Sequence, residues 1–317
     1  MLTRREFMVG AMAAGVLLYT KTGYAKPAQP ATPVNFDVPA GACDCHTHIH
    51  YPDKFPFYPG RVYTPEAAMP DEMSRLHRAL HIQRVVIVTP SVYGTDNSCS
   101  IYGMKARGKD ARGVAVIDDK TTERDLDALV KAGFKGIRLN LHTVGTHDPS
   151  VAAKQFQNAA KRVQSRNWHV QLNTSLSVVA ALKNEFAASP VPIVFDHFCN
   201  ADTKLGVNQP GFAELVDLVR SGKAYVKISI TAGPRKDYTG FTPLAKALIA
   251  ANPDRIVWAT NWPHPNSVTP PGRKPTELTP LFQVDDGLTL NLLPVWEPSA
   301  VVRKKILVDN PARLYEF

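Results

Sequence analysis

Four cysteines in 317 residues cannot make the framework of a disulfide-stapled scaffold. No Cys-x-x-Cys pair occurs, and Cys43 and Cys45 are too close in sequence for an easy bridge. No apolar run approaches the roughly 20 residues needed to cross a bilayer. Zinc-finger spacing, a Lys/Arg-rich helix and the aromatic pattern of ribonucleoprotein motifs are also missing, which argues against nucleic-acid binding. Neither a repeat array nor a disordered chain is indicated. What remains is an ordinary globular composition, 44% hydrophobic and 21% charged, in a length that suits one large α/β domain or two medium ones. Acidic residues are the scarcer charge, 28 against 37 basic ones, for a formal net charge of +9. That surplus favours anionic small molecules as partners.

The first 25 residues read as a separate signal. Thr3-Arg4-Arg5-Glu6-Phe7-Met8 precedes an apolar run from Val9 to Tyr19, and Thr22-Gly23-Tyr24-Ala25 follows. A charged start, a short apolar centre and a small-residue end describe a cleavable signal peptide, and the paired arginines make it resemble a twin-arginine signal. The expected mature chain begins near Lys26, lies in the periplasm and keeps no stable membrane anchor. Losing Arg4, Arg5, Lys21 and Glu6 takes its formal charge to +7. Residues 26–40, rich in Pro and Ala, read as a tether ahead of a domain spanning 41–317.

Within that domain, short Val/Ile-rich runs alternate with helical patterns. The runs are Cys43–His48, Arg84–Thr89, Gly113–Ile117, Gly136–Leu141, His169–Leu172, Pro192–His197, Ala224–Ser229 and Arg255–Thr260. Nearly continuous β-branched runs are strands buried on both faces, and buried parallel strands need crossover helices. Residues 70–81, 122–132, 151–166, 177–188, 211–221 and 243–251 supply them. Eight strand units in a chain of this size predict an α/β fold of the (β/α)8 TIM-barrel type. Residues 265–291, Pro-rich and irregular, read as a long loop over the barrel mouth, and 299–315 as a final helix.

The active site of such a barrel lies at the C-terminal ends of its strands. Cys43-Asp44-Cys45-His46-Thr47-His48 places two histidines two apart, and strand alternation sends both imidazoles to one side. Imidazole suits both metal binding and polarisation of an oxygen. The other strand ends carry Ser91 and Tyr93, Arg138 and Asn140, Gln171, His197, Arg235, and Asn261 with His264. Any one of these is more often a satisfied structural group than a catalyst; their joint placement is what draws attention. Arg138 and Arg235, with Tyr63, Ser91 and Tyr93 as hydroxyl donors, are candidates for holding a carboxylate or sulfonate. Lys227 reads as part of the barrel wall.

The combination of Asp44-Cys45-His46-Thr47-His48, Ser91-Val92-Tyr93-Gly94-Thr95-Asp96-Asn97, Gly136-Ile137-Arg138-Leu139-Asn140, Asp196-His197 and Trp262-Pro263-His264-Pro265 resembles the amidohydrolase-related family of the amidohydrolase superfamily. Within it, the chain is similar to the branch of 2-pyrone-4,6-dicarboxylate lactonase, 4-sulfomuconolactone hydrolase and galactarolactone isomerase. The resemblance implies that His46, His48 and His197 polarise a lactone carbonyl, and that an aspartate ending the eighth strand is the general base on water. Here that position is Asn261, a neutral amide that cannot accept the proton. The fifth-strand histidine of metal-dependent relatives is Gln171. The resemblance therefore implies no required metal, with zinc on His46, His48 and His197 as the alternative, and a donor set left without a carboxylate. The expected function is hydrolysis of a small carboxylated or sulfonated lactone; the alternatives are intramolecular lactone isomerisation, suggested by Asn261, and a ligand-binding barrel without turnover. His264 is the nearest substitute base in sequence. Nothing in the sequence specifies an oligomeric state.

Overall fold

The computed structural model describes residues 26–146, 148–231, 233–268 and 271–317. The signal reading of residues 1–25 falls outside them. Eight strands pair in chain order and all in parallel: β1 (Cys43–Thr47), β2 (Arg84–Val88), β3 (Ala111–Ala115), β4 (Phe134–Asn140), β5 (His169–Asn173), β6 (Ile193–Phe195), β7 (Ala224–Ile228) and β8 (Ile256–Trp258). Between them run α1 (Pro70–Ala79), α2 (Ser98–Arg107), α3 (Glu123–Lys131), α4 (Pro149–Val163), a broken pair α5 (Leu176–Ala181) and α6 (Lys183–Ala187), α7 (Phe212–Arg220) and α8 (Thr242–Ala251). The ends of the sheet meet through a parallel bridge between Thr47 and Trp262. On either side of it the Asn261 N–H donates to the His46 carbonyl at 3.0 Å and the His48 N–H to the Trp262 carbonyl at 2.8 Å. This is the expected (β/α)8 barrel, and its closing seam is built from the first-strand histidines and the Asn261 segment.

Strand alternation sorts the core into two parts. Val85, Ile87, Val170, Leu172, Val226 and Ile228 face the helices in one cluster, whereas Cys43, Cys45, Val86, Val88, Val114, Val194, Tyr225 and Val257 fill the barrel interior, with Tyr315 among them. Cys43 and Cys45 point inward, so strict alternation would send His46 outward. It does not, because the register slips between Asp44 and Thr47: three residues on β1 span two on β2. A bulge of this kind re-aims a side chain, and here it turns His46 and His48 into the barrel.

Three elements depart from expectation. Helix α2 has no strong sequence signal, since Ser, Cys and Gly103 are indifferent helix formers. Gly103 is needed there by packing, because a Cβ would stand 2.7 Å from Ile49 Cγ1 and 2.9 Å from Ile87 Cδ1. The tether reading of residues 26–40 fails for its central part, which is docked rather than free. Asp285 accepts from the Ala31 and Thr32 N–H groups and the Thr32 hydroxyl, Asn291 accepts from the Asn35 N–H, and Val34, Phe36 and Val38 pack on the core. The final helix is real but widens over Lys305–Asp309 into a π-helical turn ahead of Pro311, which lacks an N–H and crowds the preceding turn.

Candidate active site

Under the barrel mouth lies a cavity of about 200 Å³. His48, His197, Arg138 and Asn261 line it, together with Tyr63, Pro90, Ser91, Asn140, His142, Thr143, Asn173, Asn200 and Thr231. Residues after β8 complete the wall through Pro265, Ser267, Val268 and Phe282. No Asp or Glu lines it among the described residues.

Two of these residues owe their place to uncommon backbone. His197, Phe198, Cys199 and Asn200 all have positive φ, between 51° and 56°, and none is glycine. A left-handed turn costs L-residues roughly 1–2 kcal/mol each, so packing must hold it. Phe198 and Cys199 are fully buried, and the Asn200 amide donates to Asn173 Oδ1 at 3.0 Å and to the Thr174 carbonyl at 2.8 Å. The turn aims His197 and Asn200 at the cavity. Asn261, at φ 67°, is the second case; Asn is among the side chains that tolerate this region best.

Beneath the floor is a fully buried polar layer centred on Asp196. Its Oδ1 lies 3.1 Å from His46 Nδ1 and 3.5 Å from Lys227 Nζ, and its Oδ2 accepts from Arg138 Nε and Gln171 Nε2, both at 3.0 Å. Lys227 also donates to Gln171 Oε1 at 2.6 Å and reaches His46 Nδ1 at 3.3 Å. Burial alone would raise the Asp196 carboxyl, but His46, Lys227 and Arg138 outweigh it and hold the group well below the usual carboxylate range. Burial lowers Lys227, and Asp196 beside it pushes the other way.

Proton positions follow from the partners. His48 Nδ1 lies 2.7 Å from the Val88 carbonyl and must donate to it, leaving a lone pair on Nε2 of the neutral ring. That nitrogen is 3.2 Å from His46 Nε2, which must then carry a proton. The Nδ1 of His46 is left as an acceptor from Lys227 Nζ at 3.3 Å, and its 3.1 Å approach to Asp196 Oδ1 is bridged by that ammonium and is not a hydrogen bond. His197 Nδ1 bonds the Ser229 hydroxyl at 2.6 Å, so its Nε2 is the imidazole nitrogen left for a ligand. Burial, first of all, pulls His46 and His48 well below the ordinary histidine range and His197 down to about 3, so all three are neutral near pH 7.

The structure therefore gathers His48, His197, Asn261, Arg138, Tyr63 and Ser91 at the floor and walls. His46 lies in the buried layer beneath them, against His48 and Asp196. Four further expected site residues stand elsewhere. Tyr93 does not line the cavity; its hydroxyl accepts from the Tyr51 N–H at 2.8 Å. Arg235 is exposed in the loop after β7, its N–H donating to the Tyr238 hydroxyl. His264 is off the cavity and pairs with buried Asp286 at 2.9 Å, because a positive-φ residue after Pro263 turns it away. Gln171 lies under the floor and touches Asp196 and Lys227 rather than a ligand. Lys227 is not wall material, since its head group sits in the polar layer; parity with inward-facing Tyr225 was the signal that would have placed it. Asp196 likewise shares the face of inward Val194.

The amidohydrolase family model matches residues 43–317. The chain belongs to that family. It is 31% identical over 305 residues to 2-pyrone-4,6-dicarboxylate hydrolase of Comamonas testosteroni, covering 92% of this chain and 94% of that protein. To D-galactarolactone isomerase of Agrobacterium fabrum it is 28% identical over 284 residues, covering 88% and 92%. A ligand-free crystal structure from Agrobacterium tumefaciens superposes with a TM-score of 0.73 at 26% identity, over 91% of this chain and 98% of that one.

Superfamily members often bind a metal, and one group here has the donors: His46, Asp196 and His197, with ligand atoms within 4.8 Å of one another. This corrects the expectation of a site with no carboxylate, and it replaces His48 by Asp196 in the set. The Asp196 carboxylate already faces three donors, the Lys227 ammonium, Arg138 Nε and Gln171 Nε2. A divalent ion would have to displace a cation and then share one negative charge with the other. The residues present do not fit it as they stand.

Proposed function

We propose that this protein is a lactone-processing enzyme that acts outside the cytoplasm on a small anionic lactone, without an essential metal. Family membership and the relatives' names support the lactone, the twin-arginine pattern supports export, and Arg138 supports the anion. Its Nε is fixed on Asp196, which leaves the two Nη groups of a planar, always-charged fork for a carboxylate. The lining is otherwise rich in neutral amides and hydroxyls, donors suited to substrate hydroxyl groups.

The observation that carries the reaction type is Asn261 in a cavity lined by no carboxylate. Without that base, the chemistry the site serves best is transfer of the acyl group within one molecule. His197 Nε2 polarises the carbonyl while Arg138 holds the carboxylate, a substrate hydroxyl oxygen attacks the carbonyl carbon, the ring C–O bond breaks, and the hydroxyl proton ends on the departing oxygen. One C–O bond replaces another and the mass is unchanged. Hydrolysis is the second reading, favoured by the hydrolase relative.

A panel of anionic lactones read by mass and NMR separates the cases: isomerisation conserves mass, hydrolysis adds a water, and a binder leaves the compound intact. Asn261→Asp supplies a carboxylate base and should create or raise hydrolysis by about 10²- to 10⁴-fold at the expense of isomerisation. A parent that hydrolyses readily, with Asn261→Asp no faster, would refute the intramolecular reading.

A further inference from the structure

We propose that the Lys227 ammonium is the resident cation of this barrel and keeps divalent metal out of the His46/Asp196/His197 group. The inference does not depend on which lactone is processed. Lys227 touches two of the three donors, at 3.3 Å from His46 Nδ1 and 3.5 Å from Asp196 Oδ1, and is fully buried with them. A metal needs free lone pairs, and here those lone pairs face N–H groups. Gln171 fixes the arrangement, because its amide accepts from Lys227 through Oε1 at 2.6 Å while donating to Asp196 through Nε2 at 3.0 Å. A carboxylate at that position could not serve both neighbours in this way, since it has no N–H to donate. Arg138 adds a second cation to the same carboxylate. Charge therefore opposes a divalent ion along with geometry, in a buried layer where it is weakly screened.

The test reads metal binding rather than turnover. Chelator-treated full-length mature protein is titrated with cobalt(II), followed by its visible d–d absorption, and with zinc(II) by calorimetry. The parent should show no saturable imidazole-ligated band. Lys227→Met, similar in length and uncharged, should gain one equivalent of metal with affinity raised by at least ~100-fold, two decades in the equilibrium constant. Adding His197→Ala to that variant should abolish the gain and so rule out an adventitious surface site. Should Lys227→Met not fold, Lys227→Gln repeats the comparison, and the parent decides by itself. One equivalent of cobalt bound by the parent, with a band lost on His197→Ala, overturns the proposal, as does a folded Lys227→Met that binds no better than the parent.

Discussion

Replacing Asp196 by Asn tests the buried layer at its hub while leaving side-chain volume unchanged. The carboxylate is fully buried and faces two cations, an amide N–H and an imidazole. An amide has one oxygen and one NH2 group, so whichever way it turns, either the Arg138 and Gln171 side or the Lys227 and His46 side meets N–H instead of oxygen. At least one buried cation is then unpaired. Removing one partner of a buried ion pair costs about 3–5 kcal/mol. For a domain of this size a kilocalorie moves the melting temperature by roughly 2–4 °C, so a fall of about 6–20 °C is expected in a thermal melt followed by circular dichroism. Lys227→Met in the same background should recover part of the loss, because the stranded charge goes with it, and a coupling of about 1–3 kcal/mol is the signature. A loss under about 1 kcal/mol for Asp196→Asn, or strict additivity with Lys227→Met, would place these contacts in the weak, solvent-screened class and refute the account of the layer.

Arg138→Ala should weaken binding of an anionic lactone by about 2–4 kcal/mol in calorimetry, since the substrate carboxylate loses its buried partner; a change under about 0.5 kcal/mol would give Arg138 a purely structural role. His264→Ala should leave turnover in place and cost about 1–3 kcal/mol of stability, because Asp286 keeps its burial and loses its donor; abolished turnover would restore His264 as a candidate base. The pH dependence of stability has a definite sign. His50, His169 and His197 are pushed by burial to about 3, below the unfolded value of about 6.5. Between those limits the unfolded chain binds the protons and the folded chain does not, so stability is full above pH 6.5 and falls as pH drops towards 3, by up to about 1.4 kcal/mol per unit for each histidine. Denaturant midpoints flat from pH 7 to 4 would contradict the neutral assignment.

The barrel was legible because its signals are local and repeated: each strand is a β-branched run, and only one topology accommodates eight of them with crossover helices. The pair His46 and His48 was legible too, although the bulge that aims both inward leaves no mark in the sequence. What escaped was tertiary. Tyr93 and Ser91 are two residues apart, yet only Ser91 reaches the cavity, because the turn Ser91–Tyr93 sends the phenol towards Tyr51 instead. Lys227 and Asp196 lie 31 positions apart and meet only when β6 and β7 pair inside a closed barrel. Each could be placed on the inward face by parity. Their joining into one charged layer with Arg138 depends on the register of four strands.

That layer bears on how Asn261 is understood. A buried polar layer is weak evidence for stability, since breaking an ion pair costs far more than having it contributes; its effect here is on charge and orientation. Asp196 carries one negative charge against the positive charges of Lys227 and Arg138, so the ground under the cavity has a surplus of one positive charge. A carboxylate in place of Asn261, on the wall of the same cavity, would be attracted by that surplus, and the opposite charges nearby would favour its ionised form. An electrostatic penalty therefore does not account for the amide. Nor does backbone geometry, because Asp and Asn both tolerate the positive φ found there. The fold could accept the aspartate, and what the amide changes is chemistry: it can orient a hydroxyl through its oxygen and N–H groups but cannot take the proton from water. That is the property a site moving an acyl group between two oxygens of one substrate requires, because a base strong enough to activate water would divert the same carbonyl to hydrolysis.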